Sequence, residues 1–195
     1  PNNTTNYETF ATMWLLDDPP NRGRGLVKFD LSSLSGVTVS SATLSLWHDE
    51  TVPNNDTIHT RRILAANSTW TEAAATWDTT QGSTAWAGAA GCYTSGTDYS
   101  ATTFGSVAVT SGQAAGTQRD ITLATAEMDA MIAANHGFVI WAAGATPAFD
   151  YQRMRTSDHA TSTNRPQLVV VYTVAGDPFF GMRQPMQSEP ALLNY

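Results

Sequence analysis

The chain has 195 residues, with 17 acidic side chains against 10 basic ones (nine Arg and Lys28) and a net charge of −7. With 42% hydrophobic residues and six Trp, it is not a disordered chain, which lacks the apolar surface needed to fold. It is not a nucleic-acid binder either, because that role needs a basic stripe to displace counterions. No apolar run approaches the roughly 18 residues of a membrane-spanning helix, and a lone Cys92 makes neither an intrachain disulfide nor a cysteine zinc site.

In chain order, Gly25–Asp30 reads as a strand ending in a polar corner, Asp30-Leu-Ser-Ser-Leu34. Ser41–Trp47 alternates small or polar residues with Ala42, Leu44 and Leu46, the period of a half-buried strand. Ile58–Leu64 and Phe104–Val109 read as two more strands. Gly137–Ala142 and Gln167–Thr173 are continuous apolar, β-branched runs, predicted to be strands buried deep in a sandwich. Gly, Asn, Asp, Ser and Pro clusters separate these segments. A single segment, 125–136, reads as helix, with Thr125 as N-cap, Glu127 and Asp129 in its first turn and Gly137 just past its end. Many short strands and one short helix predict an all-β, antiparallel two-sheet jelly-roll sandwich over residues 1–173.

Residues 174–195 differ in character. Pro178, Pro185 and Pro190 forbid a regular strand or helix along the segment, yet Phe179, Phe180, Met182, Met186, Leu192, Leu193 and Tyr195 are apolar. The pattern predicts an extended arm that docks on another polypeptide, with the sandwich itself as the rival surface.

Motifs for catalysis are missing: no G-x-S-x-G, H-E-x-x-H, Walker loop, C-x-x-C or G-x-G-x-x-G occurs. The expectation is a non-enzyme with no cofactor and no metal. Asp17-Asp18 is either the seed of a calcium site or a solvated turn before Pro19-Pro20. His48-Asp49-Glu50 and Asp158-His159 read as exposed loop polars. Aromatic side chains are the better candidates, because sugar rings stack on exposed Trp and Tyr while Arg or carboxylates orient the hydroxyls. On that basis Trp47, His48, Tyr93, Tyr99, Tyr151 and Arg153 are the candidate glycan contacts, and Trp70 and Trp77 are read as buried anchors. Asn2, Asn3, Asn55 and Asn67 fit the glycosylation pattern, which an Asn/Thr-rich chain generates readily, so glycosylation is not inferred.

Several motifs carry a family resemblance. Asn21–Leu34 followed by Val39–Leu46, the Trp70-Thr-Glu-Ala-Ala-Ala-Thr-Trp-Asp78 element and the closing Asn164–Tyr172 strand resemble DNRLRE-type modules related to family 96 carbohydrate-binding modules. Pro1–Tyr7 resembles that family's early P-x-x-N-Y loop. The Gly82–Ser100 spacer, with its Gly-Thr-Asp-Tyr, looks most like phage-associated versions. The resemblance implies a jelly-roll sandwich without catalysis, displayed outside cells. It also implies a strand before the P-x-x-N-Y loop, which would here be missing, cleaved or supplied by a neighbour. Two functions fit. The first is a structural or decoration protein of a virion or other extracellular assembly, with other protein subunits as partners, a polysaccharide as a further one, and no nucleic acid or membrane. The alternative is a carbohydrate-binding module of a secreted or cell-surface protein.

Overall fold

A computed structural model describes residues 5–18, 21–143, 151–174 and 192–194. Its strands, in chain order, are β1 (Thr12–Asp18), β2 (Asn21–Gly23), β3 (Gly25–Phe29), β4 (Val37–Trp47), β5 (Asp56–Arg62), β6 (Thr79–Gln81), β7 (Thr84–Ala85), β8 (Gly105–Val109), β9 (Gln118–Leu123), β10 (Phe138–Ala142), β11 (Gln152–Arg155), β12 (Gln167–Val174) and β13 (Leu192–Asn194). The helix α1 (Thr125–Ala133) lies between β9 and β10.

The result is an antiparallel all-β sandwich, as the alternation predicts. One sheet has the order β13-β3-β10-β5-β8. Facing it are β12-β4-β9 and β11-β1-β2, joined where β4 runs on past β12. There His48 bridges Met154, and the Asp49 N–H donates to the Arg153 carbonyl at 2.9 Å. Leu15, Val27, Leu44, Leu46, Ile58, Ile121, Phe138, Ile140 and Met154 fill the space between the layers, all fully buried.

The two long apolar runs have different fates. β10 is buried on both faces. Phe138, Ile140 and Ala142 enter the central core, while Val139 and Trp141 point outward into a second cluster with Ile63, Trp70, Trp86, Cys92 and Tyr99. That cluster exists because the connection between β5 and β8 folds back over the sheet. β12 is buried on one face only: Leu168 and Val170 turn inward, but Val169 and Val171 are 39% and 37% exposed. β12 is an edge strand that no loop covers among the described residues, so the expectation of a deeply buried strand is corrected there.

The connection over β10 is held by a carboxylate. Asp98 is fully buried. Its Oδ1 accepts from Asn67 Nδ2 (2.9 Å) and the Gly88 N–H (2.8 Å), and its Oδ2 accepts from the Ala89 N–H (3.0 Å) and the Thr94 N–H (2.7 Å). Burial alone would raise this carboxyl's pKa; the Thr94, Asn67, Ala89 and Gly88 donors outweigh it and hold the group below its ordinary value. Asn67 is itself fully buried and its Oδ1 accepts from the Ala87 N–H at 2.9 Å, so its amide is committed to the loop and is no glycan acceptor. Trp70 is buried as expected and donates Nε1–H to the His136 carbonyl at 2.6 Å. Trp77 is only half-buried; its ring lies under Gly91, where a Cβ would come within 2.5 Å of it. The deeper anchor is Trp86, buried and donating to the Thr76 carbonyl at 3.1 Å.

α1 starts one residue earlier than predicted, at the residue read as its cap. Ala124 is the N-cap and makes no side-chain cap bond, and Thr125 is the first helical residue. The helix ends at Ala133, and Asn135 takes over the exit, donating to the Phe29 carbonyl at 2.6 Å and accepting from the Gly137 N–H at 3.1 Å. Gly137 has φ +81°, the left-handed conformation predicted for it.

The arm is corrected in one part. Leu192 and Leu193, expected on another polypeptide, lie in β13, which pairs with β3 of the same chain (Leu192 opposite Phe29, Leu193 opposite Lys28). The three residues contain no Pro, and the β3 edge offers unpaired backbone groups. Phe179, Phe180, Met182, Met186 and Tyr195 lie outside the described residues.

Candidate functional site

The site grows from the register of β1 and β11, neither of which the sequence pattern identified. Met13 and Leu15 face the core, 7% and 0% exposed, so the pleat turns Trp14 outward, where it is 50% exposed. Arg153 lies directly opposite Trp14 in the ladder. Tyr151, just before β11, stacks on Trp14 with ring centroids 4.5 Å apart and planes inclined by 28°. The stack leaves the indole half-exposed beside a partly buried phenol ring, and the Arg153 guanidinium sits 6.0 Å from the Trp14 centroid.

Ion pairs fix the polar side of this surface. Arg153 Nη2 meets Asp49 Oδ2 at 2.6 Å, and its Nη1 meets Glu50 Oε2 at 3.3 Å. Asp49 also faces Arg155 Nε at 3.7 Å and His159 Nε2 at 3.9 Å. Asp49 and Glu50 follow directly on β4, so the backbone bond from Asp49 to Arg153 aligns the carboxylates with the cations. Burial, followed by the charge and hydrogen bond of Glu50, pushes the Tyr151 phenol above its ordinary pKa, so it is a neutral hydroxyl at physiological pH. A flat aromatic face beside oriented guanidinium, carboxylate and phenol groups suits a ring with an apolar face and a polar rim.

Of the six predicted contacts, Tyr151 and Arg153 come together here. Trp47, His48 and Tyr99 are buried (6%, 1% and 9% exposed) and offer no face to a ligand. Trp47 and His48 end β4, where the connection before β9 closes over them: His48 N–H donates to the Thr117 carbonyl and its own carbonyl accepts from Gly116. The expected loop imidazole is therefore a core residue, and burial together with the Arg119 charge lowers its pKa to about 4. Tyr99 packs in the second cluster, 5.4 Å from Trp141. Tyr93 is engaged by two guanidinium groups, Arg22 and Arg24 each 4.3 Å from its centroid, and its hydroxyl donates to Asp17 at 2.8 Å. Asp17 is thereby a strand residue paired with Arg22 and Arg24 rather than a solvated turn. Among the described residues, no group of three or more His, Cys, Asp or Glu side chains is placed to hold a metal ion, and no helix is long and apolar enough to cross a membrane.

Trp14 is the functional candidate that sequence reading missed. Its signal was parity: in Thr-Met-Trp-Leu-Leu-Asp-Asp18 the largest ring falls on the opposite face from Met13 and Leu15.

Residues 1–101, just over half of the chain, match the family model described as carbohydrate-binding module family 96. No curated protein matches the chain. The matched segment carries Trp14, Asp49 and Glu50, whereas Tyr151 and Arg153 are brought to them by β11 from outside it.

Proposed function

Because the chain belongs to carbohydrate-binding module family 96, we propose that it is a non-catalytic polysaccharide-binding domain whose contact surface is the Trp14–Tyr151 stack with Arg153, Asp49 and Glu50. The observation that carries this reading is Trp14 itself: a half-exposed indole, stacked on a second ring and bordered by an arginine held by two carboxylates. Folding does not require so much apolar surface in water, and the ion pairs cost side-chain entropy that a bound ligand would put to use. A location on or outside the cell goes with that role. A place in a virion or phage particle draws on no feature of the described structure, so the carbohydrate reading takes precedence over it.

The test is affinity electrophoresis in gels containing hydroxyethylcellulose, arabinoxylan, galactomannan, mixed-linkage β-glucan or a polyuronate. The wild-type protein is retarded by at least one polymer, and Trp14→Ala removes that retardation with an unchanged melting temperature. Equal mobility of the two proteins in every gel refutes the assignment.

A further inference from the structure

A second exposed aromatic pair lies in the segment just ahead of β1. Tyr7 and Phe10 are 45% and 53% exposed, and their rings meet edge to face at 5.3 Å. The segment is held in place. Asn6 Nδ2 donates to the Glu72 and Ala75 carbonyls at 2.6 and 2.8 Å, and the Phe10 carbonyl accepts from Thr156 Oγ1 at 2.6 Å. The β1–β11 alignment continues backward through residue 11, because the Thr156 N–H donates to the Ala11 carbonyl at 3.0 Å. The chain bends at Ala11, so the alternation of β1 stops there, and Phe10 is placed in solvent by its own exposure. Four residues at ~3.3 Å each keep the Phe10 and Trp14 backbones within about 13 Å of each other. Between them lie Thr12 and its register partner Arg155.

Building on the carbohydrate reading, we propose that Tyr7 and Phe10 form a second sugar subsite and that the ligand is a linear polysaccharide lying along β1, from the Trp14–Tyr151 stack past Arg155 to Phe10. The two platforms are separate ring pairs within about 13 Å of each other along the backbone, so a short oligosaccharide engages one of them and a longer chain engages both. Joining two weak contacts through one ligand raises affinity by effective concentration, without any new contact type. A single terminal sugar or a compact branched glycan would leave the second pair idle. Neither aromatic pair is packed in the core, so each can be truncated without loss of the fold.

Titration calorimetry with cello-, xylo- and manno-oligosaccharides and oligouronates, each from disaccharide to hexasaccharide, tests the proposal. The wild-type affinity rises with ligand length in at least one series. In that series Phe10→Ala weakens hexasaccharide binding by about tenfold and leaves the disaccharide affinity unchanged; Tyr7→Ala acts in the same direction. Trp14→Ala weakens binding at both lengths. Phe10→Ala and Tyr7→Ala proteins that titrate like wild type at every length overturn the second subsite and leave the Trp14 platform standing. A Trp14→Ala protein that titrates like wild type overturns the platform itself, and absence of binding in every series overturns both.

Discussion

Removing the Asp98 carboxylate is the sharpest test of how the long connection is held. Asp98→Ala would leave the Gly88, Ala89 and Thr94 N–H groups and the Asn67 amide without their acceptor. A buried donor left unpaired costs about 1–3 kcal/mol. Because the loop can open and rewet part of this set, the four losses do not simply add, and we expect about 3–5 kcal/mol, the range for breaking a buried charged network. Against a typical total of roughly 5–15 kcal/mol, that is a large fraction. Asp98→Asn keeps the shape but turns an amide N–H toward N–H donors, so it falls in the same direction by less. Urea denaturation followed by Trp fluorescence reads the change, since Trp70, Trp86 and Trp141 all sit in the cluster under this connection. The carboxyl also has a pH signature. Its pKa is held low in the folded chain, so the unfolded chain takes up the proton first. The stabilisation is complete above the unfolded pKa and is lost as pH falls through the folded one. Asp98→Asn lacks that part of the acid slope. A shift below about 1 kcal/mol for Asp98→Ala, within the range of an ordinary hydrogen bond, would show that the loop is held by its indoles alone.

His48, with a pKa of about 4 in the fold against 6.5 as a free side chain, stabilises in its neutral form; its contribution is full above pH 6.5 and lost as pH falls from 6.5 toward 4. Denaturation midpoints at pH 7 and pH 4.5 will differ less in His48→Gln than in wild type, and parallel profiles would contradict the burial argument. Gly137→Ala forces a side chain into φ +81°, with its Cβ 2.7 Å from the Val27 carbonyl and 2.8 Å from Trp70. The left-handed conformation alone costs roughly 1–2 kcal/mol, so the melting temperature falls clearly; an unchanged value would show that the helix exit relaxes freely.

What was legible in the sequence followed period and length. β4 and β10 were recognisable because burial was consistent along each run, on one face for Ala42, Leu44 and Leu46 and on both for residues 138–142. β1 and β11 were not, and the candidate site is built on them. In β11 the inward residues are Gln152 and Met154 and the outward ones Arg153 and Arg155, so four residues carry almost no hydrophobic alternation. In β1 an exposed Trp interrupts the pattern because it serves the surface rather than the core. The Asp98 network was equally hidden: three of its four donors are backbone N–H groups, which every residue except proline has, and a sequence does not show which of them converge on one carboxylate.

The same division explains why the arm was misjudged in part. Proline spacing argues against a continuous ladder across residues 174–195, but a ladder needs only a few consecutive N–H groups and an open edge. β3 has such an edge, and Leu192–Asn194 pairs along it. Pairing of β13 along β3 covers a sheet edge that would otherwise be open to another molecule. With that edge paired in cis, the aromatic side chains that stand in water among the described residues are Tyr7, Phe10 and Trp14, at and just ahead of the β1–β11 ladder.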